Sequence, residues 1–296
     1  MDSADSFTRS LAGDSFNILV AAKRLGTSAG YITKLGKDPF ESYLRGSFES
    51  EGIDIRHVLS SEIGGFNAVH FVTVKPDGDR EFVYYRKGSA PSTISPEDLW
   101  EDYISNAKVM HCSGIAQAIS PSSRKTVLRA AEIANQNDVL VSFDPNYRHQ
   151  LWSNCEAREA MEEIMPYVDV FLPSAPADSL PLFKTCDPNE TIRAAEKMGV
   201  EITVVTMGEY GATINGEGEI ICLDPLPSGN VVDTTGAGDS FKGGFLHGLI
   251  EGLSYKDSAM IGNIAAGVTI TGRGALGSMP YRDEVYSKLT EYKGSL

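Results

Sequence analysis

The sequence predicts an α/β fold: a doubly wound, mainly parallel sheet with helices on both faces and a small β-flap, or lid. Three observations predict it. From about residue 107 onward, short β-rich runs alternate with stretches of helical periodicity, the pattern that builds a sheet covered by helices. The runs are nearly continuous in apolar residues, as parallel strands buried on both faces are. Upstream, the rhythm is broken by a pair of alternating runs around a polar turn, which reads as a hairpin.

The parallel strands are predicted at Lys108–Cys112, Val139–Phe143, Val168–Leu172 and Ile202–Thr206. Helix-compatible stretches lie between them at Ser122–Gln136, Cys155–Met165 and Glu190–Met198. Phe66–Val74 and Arg80–Arg86 form the hairpin, with Lys75-Pro76-Asp77-Gly78-Asp79 as its turn. A glycine-rich turn running into a helix occupies Asp233–Ile250. With no repeat, low-complexity tract or long linker, residues 1–296 read as one domain, whose lid is formed by about residues 66–86 and part of the N-terminal segment.

At 296 residues with 42% hydrophobic and 22% charged content, the chain can bury a sizeable core. A formal net charge of −14 argues against a general nucleic-acid binder, because a polyanion would be repelled. Cys112, Cys155, Cys186 and Cys222 lie far apart, without CxxC or zinc spacing. They read as reduced, mostly buried thiols of a cytosolic protein. The start Met1-Asp2-Ser3-Ala4-Asp5 has no basic segment or apolar core, and no run approaches the ~18 apolar residues of a membrane span. A cytoplasmic protein is expected.

The segment richest in chemistry is Asp233-Thr234-Thr235-Gly236-Ala237-Gly238-Asp239. Gly236 and Gly238 allow successive N–H groups to face one point. Phe241, Phe245, Leu246, Leu249 and Ile250 recur at helical spacing, so a helix should begin near Asp239. A glycine turn opening a helix is an anion site. Asp239 alone would read as an N-cap; beside that turn it suits a base that takes a hydroxyl proton during phosphoryl transfer. No GxxxxGK[ST] is present, and Gly272-Arg273-Gly274-Ala275-Leu276-Gly277, although a GxGxxG match, precedes Ser278-Met279-Pro280 rather than a helix. It is read as a loop.

In the N-terminal half, Gly13 allows close approach of a ligand, and Asp14 and Asn17 can donate or accept hydrogen bonds. Asp14 reads equally as a cap of the helix that follows. Tyr84 and Arg86 end the hairpin; by themselves they read as a sheet surface with a snorkelling cation. Arg148 follows a strand's C-terminal end, where doubly wound sheets bind ligands. Two arginines aimed at one pocket would suit a ligand carboxylate.

Taken together, these segments resemble the ribokinase-like (PfkB) carbohydrate kinases over nearly the whole chain. The resemblance implies a ribokinase-like fold, Asp239 as catalytic base, Gly236, Ala237 and Gly238 as anion hole, and ATP with Mg2+ as cofactors. It implies Thr206, Gly208, Gly211 and Asn263 on the ATP side, Asn263 reading equally as a polar residue on a packed helix. Magnesium ligands stay open, because Ser174 and Asp178 depart from the family's Asn-x-x-Glu. Tyr84-Tyr85-Arg86, His111-Cys112-Ser113-Gly114 and Asp144-Pro145-Asn146-Tyr147-Arg148 are similar to 2-keto-3-deoxygluconate kinases. That likeness implies Tyr84, Arg86 and Arg148 on the substrate and phosphorylation of its terminal hydroxyl. The alternatives are a 5-dehydro-2-deoxygluconate kinase, a fructokinase or ribokinase, or a catalytically weak sugar-binding or subunit-partner module. Family members carry a strand before the Gly13 region that this chain lacks, so either a gap or a substitute element is expected. The lid is expected to support homo-oligomers, as in several relatives.

Overall fold

Val, Ile and Phe at successive positions give strands with no polar face, and the centre of the molecule is built from them. Ile202–Thr206 is buried at every position. Its neighbours pair in register, Val170 opposite Ile202, Phe143 opposite Phe171 and Met110 opposite Val141. A computed structural model describes residues 5–61, 65–74, 80–216, 218–226 and 230–294. The hairpin turn at 75–79 and the first four residues lie outside them.

The chain opens with α1 (Asp14–Arg24), β1 (Thr33–Leu35), α2 (Glu41–Ser50) and β2 (Val58–Ser60), then the hairpin β3 (Val69–Val74) and β4 (Arg80–Tyr85). After α3 (Glu101–Ser105), the alternating section runs β5 (Val109–Ser113), α4 (Gly114–Ala118), α5 (Pro121–Gln136), β6 (Leu140–Asp144), α6 (Asn154–Ile164), β7 (Val170–Phe171), α7 (Ser179–Phe183), α8 (Pro188–Lys197) and β8 (Ile202–Thr206). Two further strands, β9 (Ala212–Gly216) and β10 (Glu219–Leu223), precede α9 (Ala237–Ile250), α10 (Tyr255–Thr269) and α11 (Arg282–Gly294).

The main sheet has the order β10-β9-β8-β7-β6-β5. Strands β5 to β8 are parallel, and β9 and β10 are antiparallel additions. The sheet is therefore mixed: the chain reverses between Thr206 and Ala212 and again between Gly216 and Glu219, each time into an adjacent antiparallel strand where a parallel one would need a crossover. On one face Val170, Val204 and Ile214 pack against Phe241, Phe245, Ile261 and Val285 of α9, α10 and α11. On the other, Val141, Phe143 and Phe171 meet Val127, Met161, Leu182 and Ala195 of α5 to α8. α9 and α10 cross at Gly244 and Gly262, where a Cβ on Gly244 would stand 2.8 Å from the Gly262 Cα. That backbone-to-backbone approach holds the middle of α9 tightly against α10.

The expected place of an extra strand is visible. β1 and β2 form a parallel sheet of their own, and among the described residues β5 has no partner on its outer edge. A cavity of about 850 Å³ lies there, lined by Gly30 and Ile32 on one side and by Val109 and His111 on the other. Its walls continue to Gly13, Asp14 and Arg86. Among the described residues no strand lies along this edge of β5; α1 and Tyr103 and Ile104 of α3 border the cavity. The lid sheet is β3 with β4 alone. The N-terminal segment adds no described strand to it and instead sets the Phe7 ring against Phe71, 5.1 Å between centroids. All four cysteines are free, but only Cys112 is buried, which corrects the expectation of mostly buried thiols. No described helix is long and apolar enough to cross a membrane.

Candidate active site

The helix predicted to begin near Asp239 begins two residues earlier. Gly236 is the N-cap, with φ of 81°, a left-handed conformation that glycine adopts without penalty. A side chain there would also collide with Ala275, 2.9 Å from the position of a Cβ. Asp239 is thus the third residue of α9 rather than its cap. The N–H of Ala237 reaches the Thr234 carbonyl at a long 3.3 Å. Those of Gly236, Gly238 and Asp239 take no acceptor among the described residues. With the positive end of the α9 dipole behind them, these donors suit a phosphoryl group. The turn is braced from below: Asp233 accepts from the amides of Thr235 and Gly274, both at 2.9 Å. The GxGxxG segment is therefore a loop, as read, and forms the support of the anion turn.

Asp239 is joined to the N-terminal half of the chain. Asn17, on the first turns of α1, donates through Nδ2 to Asp239 Oδ2 at 2.7 Å, across a sequence separation of 222 residues. The Asn17 side-chain oxygen accepts from the Gly13 amide at 3.2 Å. Withdrawal from water pushes the Asp239 carboxyl up to about 6, while Asn17 and Lys242 pull it down. A carboxyl in that range is poised to accept a proton near neutrality. Asp14 is the first residue of α1, behind Gly13 as N-cap, and makes no cap hydrogen bond. Its carboxylate instead accepts from the Ser113 hydroxyl at the end of β5. Gly13, Asp14, Asn17 and Asp239 are thus brought together.

The two arginines do not converge in the same way. Arg86 lines the cavity beside Asp14, Asn67 and His70, lies over the Tyr84 ring at 5.4 Å, and has a buried Nε without a hydrogen-bond partner. Tyr84 supports that guanidinium instead of lining the cavity. Arg148 follows β6, and its Nη1 donates to the neighbouring Tyr147 carbonyl at 2.8 Å; it is not among the cavity's lining residues.

On the expected nucleotide side, Thr206 ends β8 and its hydroxyl meets that of Ser174 at 2.9 Å. Gly208 and Gly211, both with positive φ, shape the next turn, leaving Tyr210 72% exposed. Asn263 is buried in α10 and donates to the Asp224 carbonyl at 2.8 Å, the packed-helix reading made visible. Asp178 is buried too, accepting from the amides of Ser174 and Tyr147, both at 2.7 Å. Burial raises its carboxyl, as does the neighbouring Asp144.

Sequence reasoning missed three participants. Ser113 holds Asp14, and Lys242 of α9 forms a buried ion pair with Asp144 of β6 at 2.6 Å. The only signal for that pair was a lysine inside an otherwise apolar helix. No group of three His, Cys, Asp or Glu side chains among the described residues could cage a metal. The donor set fits magnesium only as that ion is held beside nucleotides, with phosphates and water supplying most ligands.

Comparison with known proteins agrees with this geometry. A profile described as pfkB family carbohydrate kinase matches residues 1–282. The chain is similar to "Probable fructokinase-4" of Arabidopsis thaliana, with 31% identity covering 97% of this chain and 89% of the relative. It is also similar to "2-dehydro-3-deoxygluconokinase" of Bacillus subtilis, with 28% identity covering 96% and 88%. A solved structure described as a putative ribokinase II from E. coli in complex with ATP and Mg2+ superposes with a TM-score of 0.86. It shares 25% identity, over 95% of this chain and 89% of that one. The relatives' names span neutral and acid sugars and favour no single substrate. With an anion turn, a poised carboxylate and a matching profile along nearly its whole length, the chain belongs to the pfkB family of carbohydrate kinases.

Proposed function

We propose that the protein transfers the γ-phosphoryl group of ATP to the terminal hydroxyl of a sugar, with Asp239 as the base. The observation that carries this reading is the Asn17–Asp239 hydrogen bond at the mouth of the anion turn, which aims one carboxylate at the place where acceptor and phosphoryl meet. Asp239 takes the hydroxyl proton as the oxygen bonds to the γ-phosphorus. The bond from that phosphorus to the β–γ bridging oxygen breaks, and ADP leaves. The amides of Gly236 and Gly238, joined by that of Asp239, stabilise the charge on the transferring group, while the amide of Ala237, expected in the anion hole, is engaged by the Thr234 carbonyl. Magnesium bound to the phosphates supplies further charge neutralisation. Thr206, Gly208 and Gly211 shape the nucleotide side.

For the acceptor, the relatives favour the wider group over 2-keto-3-deoxygluconate alone. Fructokinases and deoxygluconate kinases both stand among the relatives, and of Arg86 and Arg148 only Arg86 lines the cavity. A ketohexose such as fructose is the first reading. An acid sugar, 2-keto-3-deoxygluconate or 5-dehydro-2-deoxygluconate, is the second, supported by the unpartnered Nε of Arg86, because a guanidinium pairs bidentately with carboxylate. An ADP-release assay over fructose, ribose and the two keto-deoxy acids separates them. Arg86→Ala should raise KM about tenfold or more for an acid acceptor and hardly at all for fructose. Silence on every sugar with ATP binding intact would turn the reading to a binding module. Val83 and Tyr85 on the lid, 37% and 58% exposed, support pairing of two lids in a homodimer. Light scattering on Tyr85→Asp tests that, and an unchanged mass would sink it.

A further inference from the structure

α9 carries a second ionisable side chain beyond Asp239. Lys242 follows it by three residues, one turn along the same face, and its Nζ lies 2.6 Å from Asp144 Oδ2. Both partners are withdrawn from water, their side chains 5% and 0% exposed. A pair this deep carries a desolvation cost that packing alone does not explain, since apolar residues of similar volume often serve stability as well or better. The surroundings supply a reason. Asp14 on α1 and Asp144 on β6 both act on Asp239 of α9, and Asp144 acts also on Asp178 after β7. His111 on β5 adds no charge near neutrality, because burial lowers its imidazole to about 4. The cation that acts on both Asp178 and Asp239 is Lys242. A triphosphate in the anion turn adds negative charge to the same place.

We propose that Lys242 is a positioning residue for phosphoryl transfer, locking the end of β6 to the first turns of α9 through Asp144 and keeping Asp239 in its base form. The proposal rests on Asp239 being the base. Its removal should make Asp239 harder to ionise, whereas removal of Asp144 should make it easier.

The test compares wild type, Lys242→Met, Lys242→Arg, Asp144→Asn and the Lys242→Met/Asp144→Asn double variant. Two readings are taken on each: the acidic limb of the kcat–pH profile, and the titration midpoint of the Asp239 carboxyl by 13C NMR, assigned with Asp239→Asn. Lys242→Met should move both upward by about one pH unit, lowering kcat about tenfold on the acid side and less at alkaline pH. Lys242→Arg should restore the limb. Asp144→Asn should move it downward, and the double variant should lie above Asp144→Asn. A role in packing alone would lower kcat by one factor at every pH and leave the midpoint still, which overturns the proposal. If Lys242→Met fails to fold, because Asp144 is left buried and unpaired, the step from Asp144→Asn to the double variant isolates the lysine. An identical midpoint in those two proteins overturns the proposal equally. The NMR reading needs no turnover, so a wild type inactive on every sugar would sink the kinase reading while still measuring this coupling.

Discussion

The wall that carries the expected sugar residues is held by side chains, whereas the wall that carries the expected nucleotide residues is shaped by backbone. Along the first, Asn17 reaches Asp239, Ser113 reaches Asp14 and Lys242 reaches Asp144, each bond joining segments remote in sequence. Along the second, the donors are amides of Gly236, Gly238 and Asp239, and the turn at Gly208–Gly211 leaves its side chains to solvent. The difference is functional. Proton transfer needs a carboxyl fixed in direction and basicity, which only a packed network provides. Phosphate binding needs converging N–H groups, which a glycine turn provides almost alone.

If that contrast is right, the walls fail differently. The largest effect should come from Asp239→Asn, with kcat lowered about 10²- to 10⁴-fold and little change in KM for ATP; turnover close to wild type would remove Asp239 as the base. The same variant should be more heat-stable at neutral pH. Because the folded carboxyl titrates near 6, above its ordinary value, the folded state holds the proton more tightly than the unfolded chain. Its favourable contribution is full below the ordinary carboxylate range and is lost as pH rises through about 6. Asparagine escapes that loss, so its Tm advantage should shrink as the pH falls toward about 4. In wild-type kinetics the same group should appear as an acidic limb in kcat near pH 6.

A smaller effect of opposite kind should follow from Gly236→Ala. A side chain there meets a left-handed φ of 81° and Ala275 at 2.9 Å, so the turn must shift and the amides lose their common aim. KM for ATP should rise about tenfold with kcat lowered less, and stability should fall by about 1–2 kcal/mol. An ATP KM equal to that of wild type would separate the turn from phosphate binding.

What was legible in the sequence divides along the same line. The parallel strands were found because their apolar runs carry a local signal, and Ile202–Thr206 was placed to the residue. β7 came out shorter than read, although Asp169 and Leu172 continue its hydrogen bonds to β6. The hairpin β9–β10 was missed because no strand was read between Thr206 and the glycine-rich turn at Asp233, although Ala212–Gly216 and Glu219–Leu223 pair there. The anion turn and Asp239 were visible because two glycines and an acid before an apolar helix are a local pattern. Asn17 was named as a sugar ligand, but its bond to Asp239 spans 222 residues and no spacing foretells that. The Lys242–Asp144 pair was invisible for the same reason. Arg148 shows the converse: a strand-end position made it a pocket residue on paper, yet its guanidinium turns to the Tyr147 carbonyl.

Asn263 gives the mildest and most discriminating test of the nucleotide wall. Its amide donates to the Asp224 carbonyl, tying α10 to the segment after β10, and the residue is only 8% exposed. Asn263→Ala removes one neutral hydrogen bond and leaves a carbonyl on a segment with access to water. A cost of about 1 kcal/mol in stability is therefore expected. If the side chain acts through that tie alone, KM for ATP stays within about twofold of wild type while Tm falls. If it also faces the adenine, KM for ATP rises several-fold and GTP discriminates less from ATP, because a lost side-chain amide removes a base-edge partner that packing does not replace. The first outcome would leave the nucleotide wall as one built by backbone; the second would place a side chain on it and narrow the contrast between the walls.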